Sequence, residues 1–120
     1  MPAQSTRAQG SEAEQIAAEY LQQRGFRIIR QNFHFGRTGE IDIIAEDGET
    51  LVFVEVKARR NNAYGTPEEA VTPAKQRGLR RVAEGYLYVN AITDKECRFD
   101  VIAIEWQDEE PIIRHLPNAF

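Results

Sequence analysis

An Asp47-Gly48 pair between two extended runs is the feature that most restricts how this chain of 120 residues can fold. The runs cover Glu40–Glu46 and Glu49–Lys57 and are rich in isoleucine, valine and phenylalanine, which favour strands. Asp-Gly between two such runs is typical of the tight turn in a β-hairpin. We therefore predict a hairpin centred on this pair, with Ile44 opposite Leu51.

The predicted hairpin has two different faces, because side chains alternate along a strand. One face is uniformly apolar and comprises Ile41, Ile43, Val52, Val54 and Val56. The other face is mixed and comprises Glu40, Asp42, Ile44, Leu51, Phe53, Glu55 and Lys57. Its apolar half needs cover, which we expect a helix to provide. In this register Glu40 lies opposite Glu55 and Asp42 lies opposite Phe53.

The charged half of the mixed face holds three carboxylates and one lysine. Like charges opposite one another destabilise a sheet, and partial burial strengthens their repulsion. A divalent cation would balance the excess, and Mg²⁺ prefers oxygen ligands of this kind. The alternative is that these four side chains lie on the solvated face of an ordinary hairpin.

The remaining elements follow from helical periodicity, caps and turn residues. We predict a first helix that begins at Ser11, strands at Phe26–Arg30, Arg98–Trp106 and Ile112–Leu116, and a second helix from Thr72-Pro73 to about Tyr88. The resulting order is α-β-β-β-α-β-β, which indicates a mixed α/β domain over residues 11–120. Residues 1–10 lack periodicity, and we expect them to form a flexible tail.

Charge and composition limit the classes of function. The net charge is −4, which argues against a protein that coats DNA over its whole surface. Residues 57–81 nevertheless carry seven basic and two acidic side chains. The basic residues considered for phosphate contacts are Arg59, Arg60, Lys75, Arg77, Arg80 and Arg81. Such a patch can bind nucleic acid, although a solvated loop and helix face has the same composition.

Other features predict a cytoplasmic protein without a membrane partner. The longest apolar runs are only a few residues, too short for a transmembrane helix, and the N-terminus lacks a signal-peptide pattern. A single cysteine allows neither an internal disulfide nor a cysteine-rich zinc site.

The hairpin motifs bear a resemblance to known families. Asp42 followed by Glu55-Val56-Lys57 resembles the PD-(D/E)xK nuclease superfamily. More closely, Gly39–Ala45, Phe53–Lys57 and Arg98–Val101 resemble the bacterial YraN family over about residues 10–117. Archaeal Holliday-junction resolvases are similar in motif order. The resemblance implies a restriction-endonuclease-like αβββαβ core, with a mixed central sheet flanked by helices.

The same resemblance implies roles for individual residues. Asp42 and Glu55 would be ligands of Mg²⁺ or Mn²⁺, with the Val56 carbonyl as a third, and Lys57 would orient or activate the attacking water. Glu14 matches a glutamate that such nucleases carry on their first helix, although a capping box with Ser11 explains it equally well.

Glu40 has two alternative roles, and the motif differs from the superfamily pattern at one position. Glu40 is either an outer-shell ligand or an ion-pair partner of Arg37 or of an arginine on the second helix. A proline that often precedes the first aspartate is replaced here by Ile41.

The resulting hypothesis is a metal-dependent endonuclease that acts on DNA, with branched DNA as a candidate substrate. A homodimer is expected if the analogy with resolvases holds, since cutting a junction needs two sites. The alternative is a non-catalytic module on a nuclease-like scaffold that binds nucleic acid or a protein.

Overall fold

The computed structural model describes residues 6–60 and 65–120 and builds them around a five-stranded sheet. The helices are α1 (Thr6–Gln23) and α2 (Pro73–Val89), and a short 3₁₀ helix covers Pro67–Ala70. The strands are β1 (Arg27–Phe35), β2 (Gly39–Asp47), β3 (Thr50–Arg59), β4 (Cys97–Gln107) and β5 (Glu110–Leu116). The predicted order of helices and strands is confirmed.

The strands lie in the sheet in the order in which they occur in the chain. All neighbouring pairs are antiparallel except β3 and β4, which are parallel. A parallel pair needs a long crossover, and α2 lies in the segment that connects these two strands. The predicted α/β class with a mixed sheet is therefore confirmed.

The two helices cover opposite faces of the sheet. The α1 side is a buried apolar cluster that contains Leu21, Phe26, Ile43, Val52, Val54, Val56, Ile102 and Ile104. The α2 side contains Phe33, Ile44, Leu51, Phe53, Leu79, Val82, Tyr86 and Phe99. The expected helical cover over Ile44, Leu51 and Phe53 is thus provided by α2. Thr72 caps α2 as predicted, since its side chain accepts a hydrogen bond from the N–H of Lys75.

Helix α1 begins earlier than predicted. It begins at Thr6, so the boundary placed at Ser11 was wrong, and residues 1–5 of the predicted tail lie outside the described residues. Glu14 consequently lies inside the helix and not at the third position after a cap. The capping-box explanation of Glu14 is therefore excluded. In the described part of the chain, neither helix is long and apolar enough to cross a membrane.

The hairpin register differs from the prediction by two residues. Ile44 pairs with Phe53 and not with Leu51, and Asp47 pairs with Thr50. The two turn residues are therefore Gly48 and Glu49. Gly48 has φ +63°, a left-handed conformation that suits glycine at the first position of a tight turn. A shift of two residues preserves the alternation, so β3 keeps its predicted division into two faces.

One assignment on β2 was wrong. Ile41 was expected on the same face as Ile43, but it packs in the α2 cluster, whereas Ile43 packs in the α1 cluster. The alternation is therefore interrupted at Asp42. The interruption coincides with the end of the β2–β3 pairing, whose last paired residues are Ile43 and Val54.

Candidate functional site

The charged residues of the hairpin lie where β2 and β3 cease to pair. Just beyond the last paired residues, the Asp42 carboxylate accepts a hydrogen bond of 2.8 Å from the backbone N–H of Val56. The side chain thus provides an acceptor for an N–H group of β3 that β2 no longer pairs. This hydrogen bond fixes the position of one carboxylate oxygen of Asp42.

A cleft of about 570 Å³ opens beside this point. Its lining includes four acidic and four basic residues: Glu12, Glu14, Asp42 and Glu55, with Lys57, Arg59, Arg60 and Lys75. Ala13, Val56, Ala58 and Trp106 complete the lining. The cleft therefore joins residues from α1, the hairpin, α2 and β4.

Glu55 is a buried carboxylate between two lysines. It is 4% exposed, and its Oε2 lies 3.6 Å from the Lys57 Nζ and 3.4 Å from the Lys75 Nζ. A buried charge is costly unless it is paired, and here two ammonium groups provide the pairing. The sequence predicted one lysine on this face. The second comes from the first turn of α2.

Three other carboxylates lie close together without a pair of lysines to balance their charge. Among the described residues, Glu14, Glu40 and Asp42 each offer an oxygen within 4.8 Å of the others. Burial, followed by the nearby charge of Glu55, raises the pKa of Asp42 to about 8, against the hydrogen bond from Val56. Burial likewise raises the pKa of Glu14, and the charges of Glu40 and Glu55 add to this. Both shifts result first from burial and second from the neighbouring negative charges.

Strand β1 contributes two polar neighbours to the acidic cluster. The side-chain amide of Asn32 lowers the pKa of Glu14, against the larger effect of burial. The His34 Nε2 lies 3.8 Å from a carboxylate oxygen of Glu40. Among the described residues, no arginine lies within ion-pair distance of Glu40, so the alternative pairing with Arg37 or with an arginine of α2 is not found. The outer-shell position of Glu40 is compatible with the cluster.

The structure brings together most of the residues that the sequence singled out. Glu14, Asp42, Glu55, Val56, Lys57, Arg59, Arg60 and Lys75 all line the cleft, with Glu40 in the adjoining acidic cluster. Of the other predicted basic residues, Arg77, Arg80 and Arg81 are exposed on α2 and lie outside the lining of this cleft. The Arg80 guanidinium lies over the rings of Phe99 and Phe120, at 5.0 and 5.4 Å from their centroids.

Sequence reasoning missed two residues of the cleft, Glu12 and Trp106. Glu12 lies two residues before Glu14 on α1, and the prediction missed it as a cleft residue because it placed the start of that helix at Ser11. Trp106 follows Ile102 and Ile104 at alternate positions of β4, on the face that packs against α1. The parallel register aligns Arg59 with Glu105, and this places Trp106 at the same end of the sheet as the cleft. The alternation was visible in the sequence, whereas the register was not.

The donor set defines the chemistry available here. It consists of carboxylate oxygens, which are the ligands that hard divalent cations prefer, and the described lining contains neither histidine nor cysteine. The residues present therefore fit a cation such as Mg²⁺ or Mn²⁺. Glu14, Glu40 and Asp42 could hold it, with Glu55 adjacent.

Fold and site together define an α/β domain with a carboxylate and lysine cluster at the open end of a hairpin. The chain belongs to the uncharacterised protein family UPF0102, whose sequence profile matches residues 13–104. This is the YraN family, so the predicted family resemblance is confirmed.

Relatives in several bacteria match almost the whole chain. A UPF0102 protein of Symbiobacterium thermophilum is 52% identical over 116 residues, which cover 96% of this chain and 98% of the relative. One from Geobacter sulfurreducens is 49% identical over 112 residues, covering 92% and 87% of the two chains. One from Geobacter metallireducens is 46% identical over 111 residues, covering 92% and 90%.

Proposed function

We propose that this protein is a divalent-cation-dependent endonuclease that hydrolyses phosphodiester bonds in DNA. The observation that carries the proposal is the arrangement around Asp42. This half-buried acid has a raised pKa, adjoins two further carboxylates and lies next to a carboxylate that two lysines neutralise. Perturbed titratable groups in a cleft are a physical marker of functional sites.

The acidic cluster supports the cation requirement. Glu14, Glu40 and Asp42 lie close together in a partly buried place, so negative charges there repel one another and added positive charge relieves the repulsion. A bound Mg²⁺ or Mn²⁺ would supply that charge, lower the pKa of a water molecule and stabilise charge on a phosphate.

Lys57 is the residue best placed to act on the nucleophile. Its side chain is 30% exposed, lines the cleft and lies 3.6 Å from the buried Glu55 carboxylate. Glu55 therefore holds the ammonium group at the cleft wall, where it can hydrogen-bond a water and offset charge on the phosphate. Lys75, from α2, pairs with the same Glu55 oxygen, so Glu55 keeps a cationic partner when Lys57 turns to the substrate.

Nucleic acid as substrate is supported by the basic side of the cleft. Arg59 and Arg60 follow Lys57 after one alanine, and both line the same cleft. Guanidinium groups recognise phosphates through paired N–H donors. The resemblance to Holliday-junction resolvases extends the proposal to branched DNA, in which case a homodimer would present two sites.

A second candidate is a non-catalytic module that binds nucleic acid or a protein at the same cleft. The observation that favours it is the net charge of −4, since a nuclease must approach a polyanion. The two candidates differ in what happens to bound DNA, so cleavage decides between them.

The test is cleavage of end-labelled four-way junction, flap, duplex and single-stranded DNA, and of the matching RNA strands, with Mg²⁺ or Mn²⁺. The purified wild type is compared with Asp42→Asn and Lys57→Met. Glu49→Gln is the matched control, because Glu49 is an exposed acid of the hairpin turn, outside the cleft. Sedimentation of the same samples gives the oligomeric state.

The proposal expects cutting that requires the cation, is lost in both cleft variants and is retained in Glu49→Gln. Binding without cutting on every substrate would replace it by the non-catalytic module. Cutting that persists equally in Asp42→Asn and Lys57→Met would assign the activity to a contaminant or to another site, and would contradict the proposal.

A further inference from the structure

The cleft carries a second feature that phosphate chemistry leaves unexplained. Trp106 lines the same cleft as Asp42 and Lys57, and the Arg60 guanidinium lies over its ring at 4.3 Å from the centroid. The parallel register of β3 and β4 brings Arg60 and Trp106 together. Arg59 pairs with Glu105, and Arg60 and Trp106 are the residues that follow them. An aromatic face and an arginine therefore stand beside Asp42 and Lys57 in one space.

The indole is held firmly by the fold. Trp106 belongs to β4, pairs with Pro111 of β5 and packs partly buried against the α1 cluster. The indole therefore packs against the core, and the Arg60 guanidinium lies over its ring. A ring held in this way can receive a flat ligand without reorganisation of the backbone.

Arg60, in contrast, has only weak contacts with the described residues. Besides the ring, it contacts Glu12, whose Oε1 lies 3.4 Å from its Nη2, and the two side chains are 53% and 55% exposed. Exposed ion pairs contribute little stability, so a ligand can displace the guanidinium at small cost. A displaced Arg60 remains within the cleft and can then bind an anionic group.

We propose that Trp106 and Arg60 form a stacking site for an unpaired nucleobase, next to the phosphate position at Asp42 and Lys57. A nucleotide is the ligand whose two parts match this pair, a flat ring for Trp106 and a phosphate for Arg60. Aromatic side chains bind single-stranded nucleic acid in this way without reading its sequence. A base can reach the ring only outside a duplex stack, so the site selects single strands, overhangs or unpaired bases near junctions.

This inference rests on the proposed function for its ligand class and deepens it by naming the substrate feature that is recognised. It also explains the position of Glu12. This acid holds Arg60 over the ring in the absence of ligand and so occupies the stacking site with the protein's own cation.

The experiment uses intrinsic fluorescence, because Trp106 is the only tryptophan of the chain. The wild-type protein, with Ca²⁺ replacing Mg²⁺ to limit turnover, is titrated with oligothymidylate, with blunt duplex DNA and with an oligomer made entirely of abasic sites. We expect a fluorescence change with oligothymidylate, and little with the duplex or with the base-free chain. The abasic oligomer supplies phosphates without a π-face and is the matched control ligand.

Three variants separate stacking from a structural role, and a fourth is the control. Trp106→Ala should weaken binding of oligothymidylate by about tenfold, as expected for loss of one stacked base, while Trp106→Phe should retain most of it. Arg60→Gln keeps the ring and should leave the fluorescence response while weakening affinity. Tyr88→Ala removes an exposed aromatic of α2, 84% exposed, and should change nothing.

The outcomes distinguish this inference from the nuclease proposal. Metal-dependent cutting with equal affinity for duplex and single strand, and no fluorescence change, would overturn the stacking site alone. A fluorescence change with oligothymidylate but no cutting would retain the stacking site and contradict the nuclease. Equal binding of the abasic oligomer and oligothymidylate, with an unchanged Trp106→Ala affinity, would also reject the stacking site.

Discussion

Asp42 and Val56 are joined by a hydrogen bond of 2.8 Å that crosses the hairpin just beyond its last paired residues. The same carboxyl is half-buried next to Glu55, and desolvation together with the Glu55 charge raises its pKa to about 8 despite the N–H donor. The Asp42 side chain therefore accepts a hydrogen bond from β3, and the same carboxyl is the acid of the cleft whose pKa is raised to about 8.

The first prediction concerns the pH dependence of stability in the metal-free protein. Asp42 has an ordinary pKa of 3.8 and a folded pKa of about 8, so between these values the folded state holds a proton that the unfolded chain releases. Its contribution is fully present below the lower value and is lost as the pH rises through the higher one. Asp42→Asn keeps the acceptor for Val56 and removes the ionisation.

We therefore expect Asp42→Asn to lose less free energy of unfolding than the wild type between about pH 5 and about pH 8.5, by about 1 kcal/mol or more. Urea denaturation in EDTA measures this, with the exposed Asp94→Asn as control. Identical pH slopes for wild type and Asp42→Asn would show that Asp42 ionises normally in the folded protein.

The second prediction concerns the cation and the role of Glu14. A cation that binds only the folded state at ten times its Kd stabilises that state by about 1.4 kcal/mol, which raises the Tm by a few degrees. We expect Mg²⁺ to raise the Tm of the wild type and to do so much less for Glu14→Gln. The matched control is Glu19→Gln, an exposed acid of the same helix that contacts only Gln15 among the described residues.

Thermal denaturation across a Mg²⁺ series checks this second prediction. Because cation and proton compete for Asp42, the shift should be larger above about pH 8 than near neutrality. Equal shifts in Glu14→Gln and Glu19→Gln would remove Glu14 from the ligand set.

The third prediction compares two acids that share Arg98. Asp100 is 0% exposed and accepts hydrogen bonds from the Arg98 Nε at 2.9 Å, from the Asn118 N–H at 2.9 Å and, at 2.7 Å, from His115. Asp47 contacts the Arg98 Nη1 at 3.0 Å and is 44% exposed. Asp100→Asn should cost about 3 kcal/mol, and Asp47→Asn less than about 1 kcal/mol.

The pH dependence of Asp100 has the opposite sign to that of Asp42. Burial raises the pKa of Asp100, but the bonds from His115, Arg98 and Asn118 outweigh it and lower the pKa below 3.8. Its stabilisation is present above that value and is lost as the pH falls through the folded pKa. Acid titration of both variants, followed by circular dichroism, measures this. Equal losses for the two variants would mean that the buried network contributes no more than an exposed pair.

The sequence predicts what depends on neighbouring residues and misses what depends on distant ones. The cap at Thr72, the order of elements and the two faces of β3 follow from local spacing. The register of the hairpin depends on the turn, which the left-handed conformation of Gly48 places at residues 48 and 49. The interruption of the side-chain alternation at Asp42 depends on where β2 and β3 cease to pair. Lys75 and Trp106 reach the cleft only through the crossover, which aligns β3 and β4 at a register that no local pattern encodes.

The last prediction concerns two glycines of α2 that have different surroundings. A Cβ at Gly85 would lie 2.5 Å from the Phe35 Cγ, whereas one at Gly78 would meet nothing within 4 Å. Gly85 is buried, and its lack of a side chain is what lets the Phe35 ring lie against the helix. Replacing glycine by alanine favours the helix by about 1 kcal/mol at either position, so any difference in stability between the two variants comes from packing.

Gly78→Ala should therefore raise the free energy of unfolding by up to about 1 kcal/mol. Gly85→Ala should lower it by about 1–2 kcal/mol, because displacing an aromatic ring in a packed interior outweighs the gain in helix propensity. Urea denaturation of both variants at one pH gives the comparison, and each serves as the control for the other. Equal stabilisation by the two substitutions would show that Phe35 moves aside without cost and that β1 is not packed tightly against α2.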